Sequence, residues 1–375
     1  MTKENSSILS DYLKSRHRVG TKVNTTVQSI AIADGAAAVL DANGKVISCS
    51  NSILNNDKIV IPGRYVDLSR IRGIFVNSGI IRFDENKALL NFAIQESSER
   101  TIMPQLGKVG EAAIVKRCSE SEEINYEMFC IAAGKKAHRR TAEQFEAIGT
   151  GLIDTRTSHN RHYNPMDTQR DIIFVNKDDI PALMSNATSL AGQCAGLQVK
   201  TSNEIISYIL RDVVTVRYCV PIICLPVMDF SGTVWLSKDL NNKERILTVN
   251  IYDELIYRIK RNKNYVNKLI ENNQDYFSDH LSTIDRFESR LYEYLKRKVY
   301  DIRDIDRIVF DEVMFMKDLL EQLVYGRISP DDLMCESEIL KSYFMSIGLM
   351  IAAPNVENNN MYVSKYNTNL MPAFG

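Results

Sequence analysis

The sequence lacks the short motifs by which many nucleotide-binding and nucleophilic enzymes are recognised. It contains no GxxxxGK(S/T) loop, no GxGxxG between a strand and a helix, and no GxSxG elbow. Without a glycine-rich loop at a helix start, no cradle of backbone N–H groups for a phosphate is indicated. We therefore predict no catalytic residue, no cofactor and no small-molecule substrate.

The seven cysteines show no disulfide pattern. They are an odd number, include no CxxC pair and mostly have apolar neighbours. This pattern favours reduced, buried thiols over disulfides. Long apolar runs are also missing, since no stretch approaches the roughly 20 residues that a membrane span needs. The charged N-terminus has no apolar core of the signal-peptide kind. The sequence thus predicts a soluble cytoplasmic protein with no membrane partner.

Charge of either sign is in balance, with 46 Lys and Arg against 47 Asp and Glu and a net charge of −1. No global field draws the chain to nucleic acid, so any such binding depends on a local patch. The hydrophobic fraction of 45% and the charged fraction of 25% are typical of globular proteins. At 375 residues the chain is long enough for two hydrophobic cores.

The pattern of segments predicts an α+β protein in which strands precede helices. The predicted parts are a β-rich region of antiparallel strands at 1–135, a mixed α/β region with a basic segment at 136–245, a helical bundle region at 246–353 and an extended C-terminal assembly arm at 354–375.

Several segments of the first part are interpreted as strands. Asp41–Gly44, which reads DANG, lies between apolar runs and indicates a hairpin turn. The segments 70–83 and 87–97 alternate with glycine and turn residues, which is typical of short strands. We predict a further hairpin in which 110–118 pairs with 124–134 across an acidic turn.

The middle part has mixed signals. The predicted elements are a short helix at 139–148, a strand at 170–175, helices at 179–193 and 202–212, and β structure at 213–230, to which 232–237 returns. Pro221 and Pro226 lie in the last apolar run and lack a backbone donor. They therefore favour an edge strand or a bulged path.

Beyond residue 246 apolar side chains recur at helical spacing and predict four consecutive helices. The clearest start is SPDD, where Ser329 is a plausible N-cap, Pro330 occupies the first helical position and two carboxylates follow. We expect this fourth helix to end near Ala353, before Pro354.

His159 and His162 are the candidates for a metal site, because an i, i+3 pair can share a metal on one helical turn. Asn160, Arg161 and Pro165 indicate a loop instead, and zinc sites normally have three or four protein ligands. The sequence favours a surface loop here, and we predict no metal.

One local excess of positive charge stands out in the segment 135–170. Arginine matches phosphate oxygens with a planar fork, lysine adds a mobile charge, and tyrosine can stack on an unpaired base. The alternative is a salt-bridged surface, the usual role of such runs. The predicted nucleic-acid-binding residues are Lys135, Lys136, Arg139, Arg140, Arg156, Arg161, Tyr163 and Arg170.

The C-terminal segment is polar but carries apolar anchors, whereas a terminus that buries nothing is usually polar throughout. We predict that it docks, either on its own subunit or, as an exchanged arm, on a neighbouring copy. The predicted oligomerisation residues are Met361, Tyr362, Val363, Tyr366, Leu370, Met371 and Phe374.

The sequence alone thus favours a non-enzymatic, self-assembling homo-oligomer that binds RNA or single-stranded DNA through the basic surface. Abundant Asn and Ile indicate A- and T-rich codons, which suit a viral source and a structural or replication-compartment matrix role in the host cytoplasm or virion. One alternative is a virion or shell protein without nucleic-acid contact. A second is an enzyme whose site is assembled from distant residues.

Overall fold

The structure is a computed structural model. It describes residues 29–33, 36–40, 46–49, 64–66, 68–85, 87–185, 191–202, 204–226, 234–238, 244–248, 251–277, 284–335, 337–346 and 349–351. These residues form two compact units. The sheet unit takes its residues from 63–227 and 293–364, and the second unit takes most of its residues from 1–62 and 228–292.

Strands and helices are numbered here in chain order. The strands are β1 (Ser29–Ala33), β2 (Ala36–Leu40), β3 (Val46–Cys49), β4 (Arg64–Val66), β5 (Ile81–Asp84), β6 (Lys87–Leu90), β7 (Phe145–Gly149), β8 (Ile172–Asn176), β9 (Gly196–Ser202), β10 (Ile222–Pro226), β11 (Val234–Lys238), β12 (Glu244–Thr248), β13 (Val299–Asp301) and β14 (Leu349–Ile351). The helices are α1 (Leu68–Asn77), α2 (Ser98–Glu120), α3 (Glu122–Ala133), α4 (Arg139–Ala142), α5 (Ile153–Ser158), α6 (Ile205–Val214), α7 (Ile251–Arg261), α8 (Lys263–Asn272), α9 (Gln274–Phe277), α10 (Ile284–Lys298), α11 (Ile302–Ile305), α12 (Arg307–Val324), α13 (Pro330–Cys335) and α14 (Glu338–Ser346).

A five-stranded mixed sheet organises the sheet unit, in the order β13-β10-β9-β8-β7. The strands β7, β8 and β9 follow one another as an antiparallel meander. The strand β10 then lies parallel to both β9 and β13. Since parallel neighbours need a crossover, α6 connects β9 to β10 across a face of the sheet.

In the second unit, β1, β2 and β3 form an antiparallel sheet and β11 pairs with β12 as a hairpin. The helices α7, α8 and α9 follow, and α7 carries Arg258 in an ion pair with Glu254 at 3.0 Å. The pairing of β2 with β3 confirms the antiparallel arrangement predicted around the DANG sequence, whose own residues lie outside the described part.

The α+β class predicted from the sequence is confirmed. The N-terminal assignment is wrong in two places, however, because α1 occupies most of the predicted strand at 70–83 and α2 and α3 replace the predicted hairpin of 110–118 and 124–134. Only the end of the first segment is a strand, where β5 pairs with β6.

Local capping explains why α2 and α3 are helices. Ser97 accepts a hydrogen bond from the N–H of Arg100 at the start of α2, and Ser121 accepts one from the N–H of Ile124 at the start of α3. Gly134 ends α3 in the left-handed conformation at φ 68°. Ser121, in the acidic segment that was interpreted as a hairpin turn, therefore separates two helices.

The middle part confirms the predicted strand at β8 and the predicted helix at α6. The predicted helix at 139–148 is wrong beyond Ala142, since β7 begins at Phe145. Residues 179–185 of the next predicted helix are not helical, and they hydrogen-bond to neighbouring strands instead, as in the 2.7 Å bond from Ala182 N–H to Phe174 O.

The β structure predicted over 213–230 is also shorter than expected. The first residues of that run complete α6, and only β10 is extended among its described residues. β10 lies inside the sheet rather than at an edge, and β11 pairs with β12 rather than returning to it. The interior place is compatible with proline because Pro221 precedes the strand and Pro226 is its last residue.

The predicted helix start at Ser329 is confirmed by reciprocal capping. Asp332 N–H donates to the Ser329 hydroxyl at 3.1 Å, and Ser329 N–H donates to Asp332 Oδ2 at 2.9 Å. The helix does not continue to Ala353, because α13 ends at Cys335 and is followed by α14 and then β14.

Buried ion pairs connect α2 and α12 in the sheet unit. Arg70 of α1 makes a two-pronged contact with Glu312, from Nε at 2.7 Å and from Nη2 at 3.0 Å, and it also pairs with Glu120. Arg117 Nε lies 2.6 Å from Asp306 Oδ2. Glu312 is completely buried, so its charge depends on this partner.

None of the helices in the described ranges has the length and apolarity that a membrane crossing requires.

Candidate active site

Asp171 lies where β8 begins, at a point where its neighbour β9 continues further. Ile172 pairs with Leu197, so Gln198 and the residues after it extend past the start of β8 beside β10. Oδ2 of Asp171 accepts a 2.7 Å hydrogen bond from the N–H of Val199 and a second one from the Gln198 side-chain amide. These bonds orient the carboxylate.

Gln198 supplies an unsatisfied polar atom at the same place. Its side chain is only 4% exposed, and its Nε2 donates to Asp171. Its Oε1 is buried and has no hydrogen-bond partner within the described residues. A buried carbonyl oxygen without a donor costs free energy, so this atom indicates a position for a bound water or ion.

The helix α2 brings Glu111 to this end of the sheet through an unusually close approach at Gly110. A Cβ built on Gly110 lies 2.6 Å from Leu225 Cδ1 and 3.4 Å from Thr201 Oγ1. The Leu225 side chain would have to move to admit even a methyl group at this position. The next residue of the helix, Glu111, is half-buried and interacts electrostatically with Asp171 and Lys200.

Both carboxyl groups have raised pKa values. Burial and then the charge of Asp171 raise the pKa of Glu111 to about 8. Burial raises the pKa of Asp171 to about 6, although its hydrogen bond from Val199 opposes the shift. Two carboxylates in a poorly solvated place resist ionisation together, and a bound divalent cation would favour their ionised forms.

Lys200 of β9 adds a positive charge to the two carboxyl groups. Burial lowers the pKa of Lys200, but its interactions with Tyr218 and Asp171 outweigh burial and raise it. Its Nζ lies 4.7 Å from the centre of the Tyr218 ring, over which Arg217 also lies at 5.2 Å. We call Glu111, Asp171, Gln198 and Lys200 the acid–lysine cluster.

The cluster was missed in the sequence for an identifiable reason. Its members are far apart along the chain, and Glu111 lay in a segment interpreted as a strand. A weak signal was present, because Asp171 immediately precedes an apolar strand and Gln198 and Lys200 alternate on another.

The predicted basic residues all belong to the sheet unit. Several of them contact an acidic side chain or a tyrosine ring. Arg139 lies 2.5 Å from Glu123 and over the ring of Tyr126, and Arg161 lies 2.5 Å from Asp179. The guanidinium of Arg156 lies 5.9 Å from the Tyr163 ring centre. The side chains of Lys135, Lys136 and Arg140 are exposed.

Arg170 has a special position among the basic residues because it immediately precedes Asp171. Its side chain is 19% exposed, and its Nε donates to the carbonyl oxygen of Cys194 at 3.1 Å. Its Nη1 lies 3.9 Å from Asp167. The last residue of the basic segment therefore adjoins Asp171 along the chain, while its guanidinium contacts Cys194 and Asp167.

The two histidines meet an acidic residue that is distant in sequence. Asp179 Oδ1 lies 2.7 Å from His159 Nδ1 and 3.3 Å from His162 Nε2, while Arg161 contacts Oδ2. Burial raises the pKa of Asp179, but the hydrogen bond from His159 and the nearby positive charges outweigh it and lower the pKa. Across the described residues, no three His, Cys, Asp or Glu side chains form a set that could hold a metal.

A separate polar cavity of about 270 Å³ is bounded by α1, α2 and the start of α5. Arg70, Lys116, Glu120 and Asp154 line it. Glu120 pairs with both cations, at 3.4 Å in the case of Lys116. These charges serve the packing of the helices and leave the acid–lysine cluster as the stronger candidate.

The predicted oligomerisation residues, Met361, Tyr362, Val363, Tyr366, Leu370, Met371 and Phe374, lie outside the described residues.

Comparison of the chain with protein-family models, with curated proteins and with solved structures finds no match.

Proposed function

We propose that the chain is an enzyme whose site is assembled from distant residues, and that it hydrolyses phosphodiester bonds of nucleic acid with a divalent metal ion. The observation that carries this proposal is that Asp171 interacts electrostatically with both Glu111 and Lys200, while its carboxylate accepts hydrogen bonds from Val199 and Gln198. It adopts one of the alternatives left open by the sequence in preference to a non-enzymatic protein.

Mg²⁺ suits the acid–lysine cluster better than a softer metal. This ion prefers oxygen ligands and is commonly held by one or two carboxylates, with water and substrate phosphate completing the coordination. Glu111 and Asp171 supply two carboxylates, so three protein side chains are not required. The ion supplies a Lewis acid and a water of lowered pKa.

The protein groups have distinct roles in this proposal. Glu111 and Asp171 would hold the ion, and the bonds from Val199 and Gln198 orient Asp171. Lys200 stabilises the negative charge that develops on the phosphoryl oxygens. Lys108 also acts electrostatically on Glu111, so a second positive charge lies near this carboxyl group.

The basic segment predicted from the sequence becomes a substrate-binding surface in this proposal. Arginines and lysines along it would hold the backbone of RNA or DNA, a contact that weakens with salt. The cytoplasmic location predicted from the sequence remains part of the proposal.

The test is cleavage of labelled DNA and RNA oligonucleotides by the full chain with Mg²⁺ or Mn²⁺. We expect strand scission that stops with a chelator and falls at least about 100-fold in Asp171→Asn. The matched control is Asp178→Asn, an exposed carboxylate beyond the other end of β8. No cleavage of any nucleic acid, or equal cleavage by Asp171→Asn, contradicts the proposal.

Self-assembly through the C-terminal segment remains a separate prediction. Gel filtration of the full chain against a chain ending at Pro354 tests it. A smaller oligomer after truncation supports the prediction, and an unchanged elution volume removes it.

A further inference from the structure

The outer face of α6 carries an exposed aromatic ring beside the acid–lysine cluster. The inner face of this helix is buried, with Ile205, Ile206 and Ile209 all at 4% exposure or less. Tyr208 is 50% exposed, and Arg211, one turn further along, is exposed as well. Residues three apart on a helix are neighbours, so a ring and a guanidinium share this face.

The position of Tyr208 relative to Lys200 makes this face relevant to the substrate. Lys200 Nζ lies 5.8 Å from the centre of the Tyr208 ring. A phosphate that contacts Lys200 therefore brings its attached nucleoside close to the ring. An exposed tyrosine offers a flat surface on which any base can stack, and nearby arginine holds the adjoining phosphate.

We infer, on the basis of the proposed function, that Tyr208 stacks on a nucleobase next to the bond to be cleaved and that Arg211 binds the neighbouring phosphate. In a duplex both faces of an internal base are already covered by adjacent base pairs. A stacking ring of this kind therefore selects a single-stranded segment, and the substrate class is single-stranded nucleic acid.

The experiment compares cleavage of single-stranded and duplex oligonucleotides of the same sequence, as DNA and as RNA, by the full chain with Mg²⁺. In Tyr208→Ala we expect KM for the single strands to rise about tenfold, with a much smaller change in kcat. Tyr208→Phe keeps the aromatic ring, so its KM is expected to equal that of the native chain. Arg211→Gln raises KM and reduces its dependence on salt.

The matched control is Tyr325→Ala, which removes another tyrosine of the sheet unit that is 54% exposed and has an arginine over its ring at 5.1 Å. Its KM is expected to equal that of the native chain. The inference is overturned if Tyr208→Ala leaves KM unchanged, if duplex and single strands are affected equally, or if Tyr208→Phe fails to restore KM.

A second measurement separates this inference from the proposed function. Fluorescence anisotropy with Ca²⁺ in place of Mg²⁺ reports binding of the labelled single strand whether or not the chain cleaves it. If no cleavage occurs, the proposed function fails, yet weaker binding by Tyr208→Ala and normal binding by Tyr208→Phe still support stacking. Equal binding by all variants overturns it.

Discussion

The backbone N–H of Val199 donates a 2.7 Å hydrogen bond to Oδ2 of Asp171, the residue immediately before the neighbouring strand β8. This bond exists because β9 runs past the point where β8 begins, leaving the N–H of Val199 without a ladder partner on that side. The carboxylate accepts the hydrogen bond that a backbone carbonyl of β8 would accept if that strand extended further. Its orientation is thereby set by the backbone of the sheet.

We predict that Lys200→Met lowers kcat about 100-fold or more while metal binding persists, because Lys200 acts on the phosphoryl oxygens and not on the ion. Steady-state cleavage kinetics and titration calorimetry with Mn²⁺ measure the two effects separately. Lys177→Met is the control, since Lys177 is exposed at the far end of β8. Unchanged kcat, or loss of Mn²⁺ binding, contradicts this role.

We predict that metal affinity rises between about pH 6 and about pH 8 and then levels off, because the ion competes with the protons of Asp171 and Glu111. Calorimetric titration with Mn²⁺ at several pH values measures the affinity. A profile that is flat through this range contradicts the raised pKa values.

We predict that Glu111→Gln stabilises the metal-free protein, increasingly so as pH rises. The pKa of Glu111 is raised from 4.5 to about 8, so the folded chain holds a proton that the unfolded chain has lost. Between these values the stability of the native protein falls with pH. The gain is expected to be near zero at about pH 4.5 and on the order of 4 kcal/mol at about pH 8.

Thermal unfolding with and without Mg²⁺ checks this prediction. At the higher pH, Mg²⁺ should raise the melting temperature of the native chain and leave that of Glu111→Gln nearly unchanged, since ligand binding stabilises only a folded chain that can hold it. The prediction is refuted if the difference in stability between Glu111→Gln and the native chain is the same at both pH values.

We predict that Gly110→Ala destabilises the sheet unit although alanine is the better helix former. The new methyl group would lie 2.6 Å from Leu225 Cδ1, in a place where Leu225 is only 1% exposed. Overpacking of this kind costs about 1–3 kcal/mol, against a gain of about 1 kcal/mol in helix propensity. Cleavage activity is expected to fall as well, because Glu111 moves with the helix.

Gly107→Ala in the same helix is the control for Gly110→Ala. A Cβ at Gly107 meets nothing within 4 Å, so only the propensity gain of up to about 1 kcal/mol remains. Urea unfolding of the two variants should give changes of opposite sign. Changes of the same sign contradict the close approach at Gly110.

We predict that Arg70→Met destabilises the protein by about 3–5 kcal/mol, because it leaves the buried charge of Glu312 without its two-pronged partner. Lys116→Met removes a 3.4 Å pair from a lysine side chain that is 47% exposed, and it should cost less than about 1 kcal/mol. Guanidinium unfolding measures both, and equal costs contradict the burial argument.

The elements that sequence could predict are those with local signals. Ser329 with Asp332, the apolar strand β8 and the one-sided pattern of α6 each specify structure within a few residues. The helix α2 gave no such signal, because buried residues such as Thr101, Leu106, Ala113 and Cys118 surround most of its circumference. A helix whose buried residues are spread around most of its circumference has no single apolar face to reveal its period.

The acid–lysine cluster depends on information that no local pattern contains. Asp171 meets Val199 through the register of β8 against β9, and Glu111 reaches them through a packing distance allowed by Gly110. Both arrangements depend on tertiary contacts between residues that are far apart in the sequence. Contiguous motifs and grouped charges are what a sequence displays, and in this chain they indicate the basic segment rather than the carboxylates.

The parallel pairing of β10 with β13 has a consequence for biosynthesis. Residues 227–298 separate the two strands, so β13 leaves the ribosome long after β10. Strands β7–β10 with helices α2 and α6, which carry every member of the acid–lysine cluster, are complete by Pro226. Since chains fold from the N-terminus during translation, this half of the sheet can form first and receive its last strand afterwards. Closing so long a connection adds only about 0.6 kcal/mol for each doubling of its length.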